Sequence, residues 1–177
     1  QLLWVLHLGR KRHIRVMSLS IIIPTLNEAT ALPATLAHLA RLDPSPFEII
    51  LVDANSKDET VAIAEAAGVQ VLSGVTSGRA AQMNAGARAA AGADLCFLHA
   101  DTEVPSDFVM LAEQGLSDQR TALAGFISVM RGEQRVRRVT TAHNFVKTWY
   151  APLLFRPVSF FRGARLLFGD QVMICRR

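Results

Sequence analysis

With 177 residues, 50% of them hydrophobic and 19% charged, the chain is long enough for one domain with a substantial core and too apolar to be disordered. Its formal charge of +4 is uneven: residues 1–16 carry Arg10, Lys11, Arg12 and Arg15 without an acid, 17–130 carry 5 Lys/Arg against 13 Asp/Glu, and 131–177 carry 10 against 2. An acidic half followed by a basic segment does not describe a nucleic-acid binder; it suits a chain that holds a cation in one half and meets anionic groups with the other.

Residues 1–16 run from an apolar start into a basic cluster, the reverse of a signal peptide's order, and Met17 stands just before the first strand-like run. We expect 1–16 to be an extraneous or disordered extension, with a short N-terminal arm as the alternative, and 17–177 to be one domain. Ser20-Ile21-Ile22-Ile23-Pro24 is β-branched and stopped by proline, the pattern of a buried strand. Leu32, Leu36 and Leu39 recur at helical spacing in a helix expected over 29–42, which Asp43-Pro44-Ser45-Pro46 breaks. A second strand over 47–53 delivers Asp53 at its carboxyl end. The turn Asn55-Ser56-Lys57-Asp58 then caps a helix over 59–67, closed by Gly68.

A short strand over 69–72 and a flexible loop lead into an alanine-rich helix over 79–91, ended by Gly92. Leu95 to Leu98 is an apolar run of the length expected for a strand buried on both faces. Strands alternating with helices in this way predict an α/β fold with a Rossmann-like, doubly wound, mostly parallel sheet. Beyond Pro105 we expect a helix over 106–116, a strand over 122–130, a helix over 133–150 and a last strand over 172–175. No apolar run approaches the roughly 18 residues of a membrane span. Cys96 and Cys175 show neither metal spacing nor a disulfide framework, and Cys96 reads as a small buried thiol.

In such a sheet, ligands sit where strands deliver their carboxyl ends, here Thr25–Glu28, Asp53 and His99–Asp101. His99 and Asp101 lie two apart, so in extended geometry they point the same way. A carboxylate and an imidazole on one side can hold a divalent cation, the usual partner of a substrate diphosphate. The alternative is that Asp101-Thr102 merely caps the next helix. Asp53 likewise has two readings, a carboxylate on a base N–H or ribose hydroxyl and a cap within Asp53-Ala54-Asn55-Ser56. No glycine follows the first strand and no G-x-x-x-x-G-K-[ST] occurs, so neither the dinucleotide fingerprint nor the P-loop is present.

Four blocks resemble the family 2 glycosyltransferases with the GT-A fold: 20–28 (SIIIPTLNE), 50–60 (ILVDANSKDET), 78–86 (GRAAQMNAG) and 97–102 (FLHADT). They occur in the family's order and at its separations over residues 18 to about 110. The His-Ala-Asp variant, the Gly78–Gly86 block and 168–171 (FGDQ) look most like a small bacterial subgroup described as arsenosugar-biosynthesis or radical-SAM-associated glycosyltransferases. The resemblance implies that Pro24, Thr25 and Glu28 line the nucleotide's base and ribose, and that Asp53 reads a uracil-type base edge. It implies that Arg79 and Asn84 lie beside ribose and diphosphate, and that Asp101 is the metal-binding second aspartate of an Asp-x-Asp motif. His99 replaces the first aspartate, a departure that keeps nucleotide contact through nitrogen but removes one negative charge near the cation.

The same resemblance implies an activity: metal-assisted, inverting transfer of a glycosyl group from a nucleoside-diphosphate sugar, UDP-linked, with manganese or magnesium as the cation. Imidazole tilts that choice toward manganese. The nucleotide-binding half is then 17–104 and the acceptor half 105–177. In relatives the base belongs to an acidic motif well after the Gly-Asp-Gln segment, so we expect it beyond Arg177 and the chain to be C-terminally truncated. Asp170 is a weak candidate, with a turn aspartate as its other reading. A sugar-nucleotide-binding module without turnover is the competing function; a nucleotidyltransferase is less favoured because it needs a glycine-rich basic loop after the first strand. The arginines and aromatics of 131–165 suit either a peripheral contact with an anionic acceptor or membrane surface, in a cytoplasmic protein, or a solvated helix face over core aromatics. His143 reads as structural.

Overall fold

A computed structural model of the chain describes residues 18–118, 120–126, 142 and 172–177. It contains strands β1 (Leu19–Thr25), β2 (Glu48–Asp53), β3 (Gln70–Leu72), β4 (Asp94–Phe97), β5 (Leu123–Phe126) and β6 (Val172–Arg176). Between them lie helices α1 (Leu32–Leu39), α2 (Thr60–Ala66), α3 (Arg79–Ala89) and α4 (Phe108–Gly115). The strands form one sheet in the order β3-β2-β1-β4-β6-β5. The first four are parallel, and β6 runs antiparallel to both β4 and β5. The expected mostly parallel α/β sheet is thus present, with β6 inserted between β4 and β5.

The alternation of side chains along β1 builds two cores at once. Ile21 and Ile23 face α1, α2 and α4 through Leu32, Leu36, Ala64, Phe108 and Val109. Ile22 faces the other way and packs with Ile50, Val52, Leu95 and the alanines of α3. The chain runs β1-β2-β3 outward and then returns through α3 to β4 on the far side of β1. Right-handed crossovers place that returning helix on the opposite face from α1 and α2. Gly86 permits the close approach: a Cβ there would lie 2.4 Å from Ile22 Cγ2 and 3.0 Å from Val52 Cγ2.

Pro24 does not end β1, contrary to the sequence expectation. The strand continues to Thr25, pairing Pro24 with Val52 and Thr25 with Asp53. The Ile22 carbonyl bonds the amide of Leu98, so residues of Ile22's parity turn their amides toward β4. The β4 ladder stops at Phe97, and the N–H that Pro24 lacks would face a side without a strand partner. Helix α1 starts three residues later than expected. The amides of Glu28 and Ala29 bond Thr60 Oγ1 (2.8 Å) and Asp58 Oδ2 (3.1 Å), which holds 29–31 as a turn before Leu32. The same helix ends at Leu39, three residues before the expected 42; the other described boundaries shift by at most two residues, and the strand expected over 122–130 is described as Leu123–Phe126. The helix expected over 133–150 falls outside the described residues, apart from a helical residue 142.

Candidate functional site

The sheet reverses its winding between β1 and β4, and at such a switch point the loops leaving the carboxyl ends diverge and open a crevice. Strand neighbours β2, β1 and β4 bring Asp53, Thr25–Glu28 and His99–Asp101 to one edge, as the motifs required.

Along that edge the loops after β1 and β2 are locked together. Thr25 Oγ1 donates to Asp53 Oδ1 at 3.2 Å, and Ser56 donates to the same carboxylate through its hydroxyl (2.5 Å) and its amide (2.8 Å). The Asn27 amide bonds Ser56 Oγ (2.8 Å), and the Lys57 amide returns to Asn27 Oδ1 (2.8 Å). Asn27 and Asn55 hold φ values of +57° and +64°, left-handed backbone that asparagine tolerates better than most residues. Thr60 Oγ1, donating at 2.5 Å, together with the amides of Ala29 and Thr60, holds the Asp58 carboxyl below the ordinary carboxylate range. Asp53 is only 2% exposed, and its three turn-building contacts come from Thr25 and Ser56. A carboxylate offers about four acceptor sites, which leaves it capacity beyond these three contacts.

Helix α3 brings its first turn to the same edge. Its cap residue Gly78 has φ +134° and supplies no side-chain cap, so the first-turn N–H groups remain available to an anion. Arg79 is the first helical residue and exposed. Gln82, missed in the sequence, fastens this turn to the sheet: its amide nitrogen donates to the carbonyls of Thr25 and Val52, both at 2.8 Å. The signal was a polar residue leading a buried i, i+4 stripe of Gln82, Gly86 and Ala90. Asn84 sits two residues beyond the buried Gln82 and is exposed, on the side of α3 turned from the sheet.

The β4 end corrects one expectation. The strand finishes at Phe97, and the Thr102 amide bonds the His99 carbonyl at 3.2 Å, so 99–102 is a turn. The two-residue spacing of His99 and Asp101 therefore does not align their side chains as an extended strand would. His99 is half-buried and Asp101 exposed. Pro24 and Glu28 are partly exposed beside the β1–β4 opening. Among the described residues no three His, Cys, Asp or Glu gather as a ready-made metal cage. Burial pushes the Cys96 and Cys175 thiols up, which disfavours their thiolate forms. Asp170, His143 and, apart from residue 142, the 131–165 segment lie outside the described residues. Among those described, no helix is long and apolar enough to cross a membrane.

Comparison with known proteins agrees with this geometry. Residues 20–175 match the model of glycosyl transferase family 2. A "PGL/p-HBAD biosynthesis glycosyltransferase" of Mycobacterium bovis (strain BCG / Pasteur 1173P2) is 58% identical over 45 residues, which cover 25% of this chain and 18% of that protein. The mannosyltransferase PcManGT of Pyrobaculum calidifontis, in complex with GDP-Man and Mn2+, superposes with a TM-score of 0.65 at 19% identity. That match covers 90% of this chain and 44% of the other. TarS of S. aureus, residues 1–349 in complex with UDP, gives a TM-score of 0.52 at 25% identity over 60% of this chain and 34% of that one. The chain thus spans less than half the length of each of these three proteins. The fold is GT-A, as the sequence resemblance implied, and the chain belongs to glycosyl transferase family 2.

Proposed function

We propose that the chain transfers a glycosyl group from a UDP-linked sugar to an acceptor hydroxyl, with inversion and with the help of a divalent cation. The observation that carries this reading is the gathering of Thr25, Asp53, the α3 first turn and the His99–Asp101 turn at one switch-point edge. Solved neighbours named as complexes with UDP, or with GDP-Man and Mn2+, support the donor class and the cation. The donor set fits a cation that arrives with its diphosphate: one exposed carboxylate, Asp101, leaves most coordination positions to phosphate oxygens and water. When bound, such a cation neutralises the charge that develops on the departing diphosphate.

The chain's own residues supply the remainder. Thr25 and Glu28 line the base and ribose side, and Asp53 uses its remaining acceptor capacity on the base edge. Arg79 and the open N–H groups of α3 face the diphosphate. Asn84 reaches this site only if the nucleotide extends over the outer side of α3. A carboxylate outside the described residues deprotonates the acceptor hydroxyl as it attacks the anomeric carbon from the side opposite the diphosphate. The His-Ala-Asp turn supports a place in the arsenosugar-biosynthesis subgroup. A cytoplasmic setting, with 131–165 meeting an anionic acceptor or a membrane surface, completes the proposal.

Titrating UDP with and without Mn2+ tests the site. Wild type should bind more tightly with the metal, and Asp101→Ala should abolish the difference; equal metal dependence in both would remove Asp101 from the site. A panel of UDP-sugars then separates transfer from mere binding. Release of UDP supports the enzyme, and binding without release supports a sugar-nucleotide-binding module.

A further inference from the structure

Between β4 and α4 the backbone around Asp101 is suspended from helix α1. Thr35, 3% exposed, donates its hydroxyl to the Ala100 carbonyl at 2.6 Å. One turn later His38 Nε2 donates to the Val104 carbonyl, the role a carbonyl partner imposes on that nitrogen. Residues three apart share a helix face, so the two side chains bracket residues 101–103 from one surface. Ala100 and Val104, 2% and 6% exposed, are buried beside the held carbonyls, whereas Asp101 and Glu103 between them are exposed. Just beyond, the Asp43 amide bonds the Ser106 carbonyl at 3.2 Å, a third tie from the α1 side. The sequence offered no hint of this: Thr35 and His38 precede the loop they hold by 65 and 66 residues.

We infer that Thr35 and His38 are positioning residues: through the carbonyls of Ala100 and Val104 they fix the turn that presents Asp101 to the cation and diphosphate. The inference rests on the donor-site reading above and adds to it residues of α1 that touch neither nucleotide nor metal. Freed from α1, the segment 99–104 loses two of the hydrogen bonds that hold its backbone, and Asp101 is no longer fixed in one orientation. Metal-dependent affinity then falls while metal-free affinity does not, because Thr25, Asp53 and α3 are anchored independently.

The test compares wild type, Thr35→Val, Thr35→Ser, His38→Phe and Asp101→Asn in the full chain. UDP affinity is measured across a Mn2+ series, and amide hydrogen exchange is followed over 99–104. Thr35→Val, which leaves the Ala100 carbonyl without its donor, should weaken Mn2+-dependent UDP binding about tenfold, the effect of one lost buried hydrogen bond. It should also speed exchange over 99–104 and leave metal-free UDP binding unchanged. Thr35→Ser should restore both, and His38→Phe should reproduce the loss through Val104. Normal Mn2+ dependence in Thr35→Val and His38→Phe, beside its loss in Asp101→Asn, overturns the positioning role and spares the metal reading. Normal dependence in Asp101→Asn removes the metal reading and the inference with it. If Thr35→Val lowers metal-free and metal-dependent binding equally, its role is only structural and the inference also fails.

Discussion

The two edges of the sheet use the same chemistry for different ends. At the amino edge Glu48 accepts the Ser20 hydroxyl (2.6 Å) and the amides of Ala91 (2.6 Å) and Gly92 (3.2 Å), which fastens the end of α3 to the starts of β1 and β2. At the carboxyl edge Asp53 accepts a serine and a threonine hydroxyl and one amide. The difference lies in what surrounds each carboxylate. A Cβ on Gly92 would lie 2.3 Å from the Ser18 carbonyl oxygen and 2.4 Å from Ser20 Oγ, so the amino edge is packed shut. Around Asp53 the loops carry exposed Asn27, Asp58, Arg79 and Asp101 and diverge at the switch point. A carboxylate meeting hydroxyls and amides therefore says little about function by itself. What matters is whether the backbone around it closes or parts.

The sharpest way to break this contrast is Gly92→Ala. Its methyl meets backbone that cannot swing aside, and overpacking of this kind costs about 3 kcal/mol. Urea denaturation should show that loss with the m-value unchanged; a loss within experimental error would mean the amino edge is not closed. At the other edge, Asp53→Ala should weaken binding of uridine nucleotides about tenfold, roughly 1.4 kcal/mol, and that of free diphosphate much less. Equal losses measured by titration calorimetry would leave Asp53 as a turn-builder alone.

The smallest effect is the pH response of Glu48. Burial works to raise its pKa, but the Ser20 hydroxyl, the Ala91 and Gly92 amides and the Arg177 guanidinium together outweigh it and hold the carboxyl below its ordinary range. A depressed folded-state pKa contributes stability that is fully present above the unfolded value and is lost as pH falls through the folded one. Stability should therefore decline on the acid side of the ordinary glutamate pKa, and Glu48→Gln should flatten that limb of the curve. An identical acid limb in the variant would show that the staple carries no pH-dependent stability.

Some of the molecule could be read without coordinates because its signals are local. Apolar runs ending in polar residues named Thr25, Asp53 and His99 as strand-end groups, and the alternation of runs and breakers named the sheet. The Asp53 turn was also legible, since aspartate three residues before serine is a short-range pattern. Gln82 was half-legible, as a polar residue in a buried small-residue stripe. Other features depended on what lay next to them in space. The proline in β1 looked like a stop, but β1 outruns the β4 ladder, so its missing N–H costs nothing there. The spacing of His99 and Asp101 looked like a shared strand face until the chain turned after Phe97.

Among the described residues, the sequence by itself determined which segments are strands and helices, that the sheet is mostly parallel, and which polar groups arrive at strand ends. Hydrophobic periodicity and turn residues act over a few positions and need no partner to be read. Only the tertiary structure decided that β6 enters antiparallel between β4 and β5 and that Thr25 stands level with Asp53. It alone showed that a threonine and a histidine on α1 hold the loop of Asp101. Those are pairings between residues tens of positions apart, settled by how two cores pack on opposite faces of one sheet and not by any neighbour in the chain.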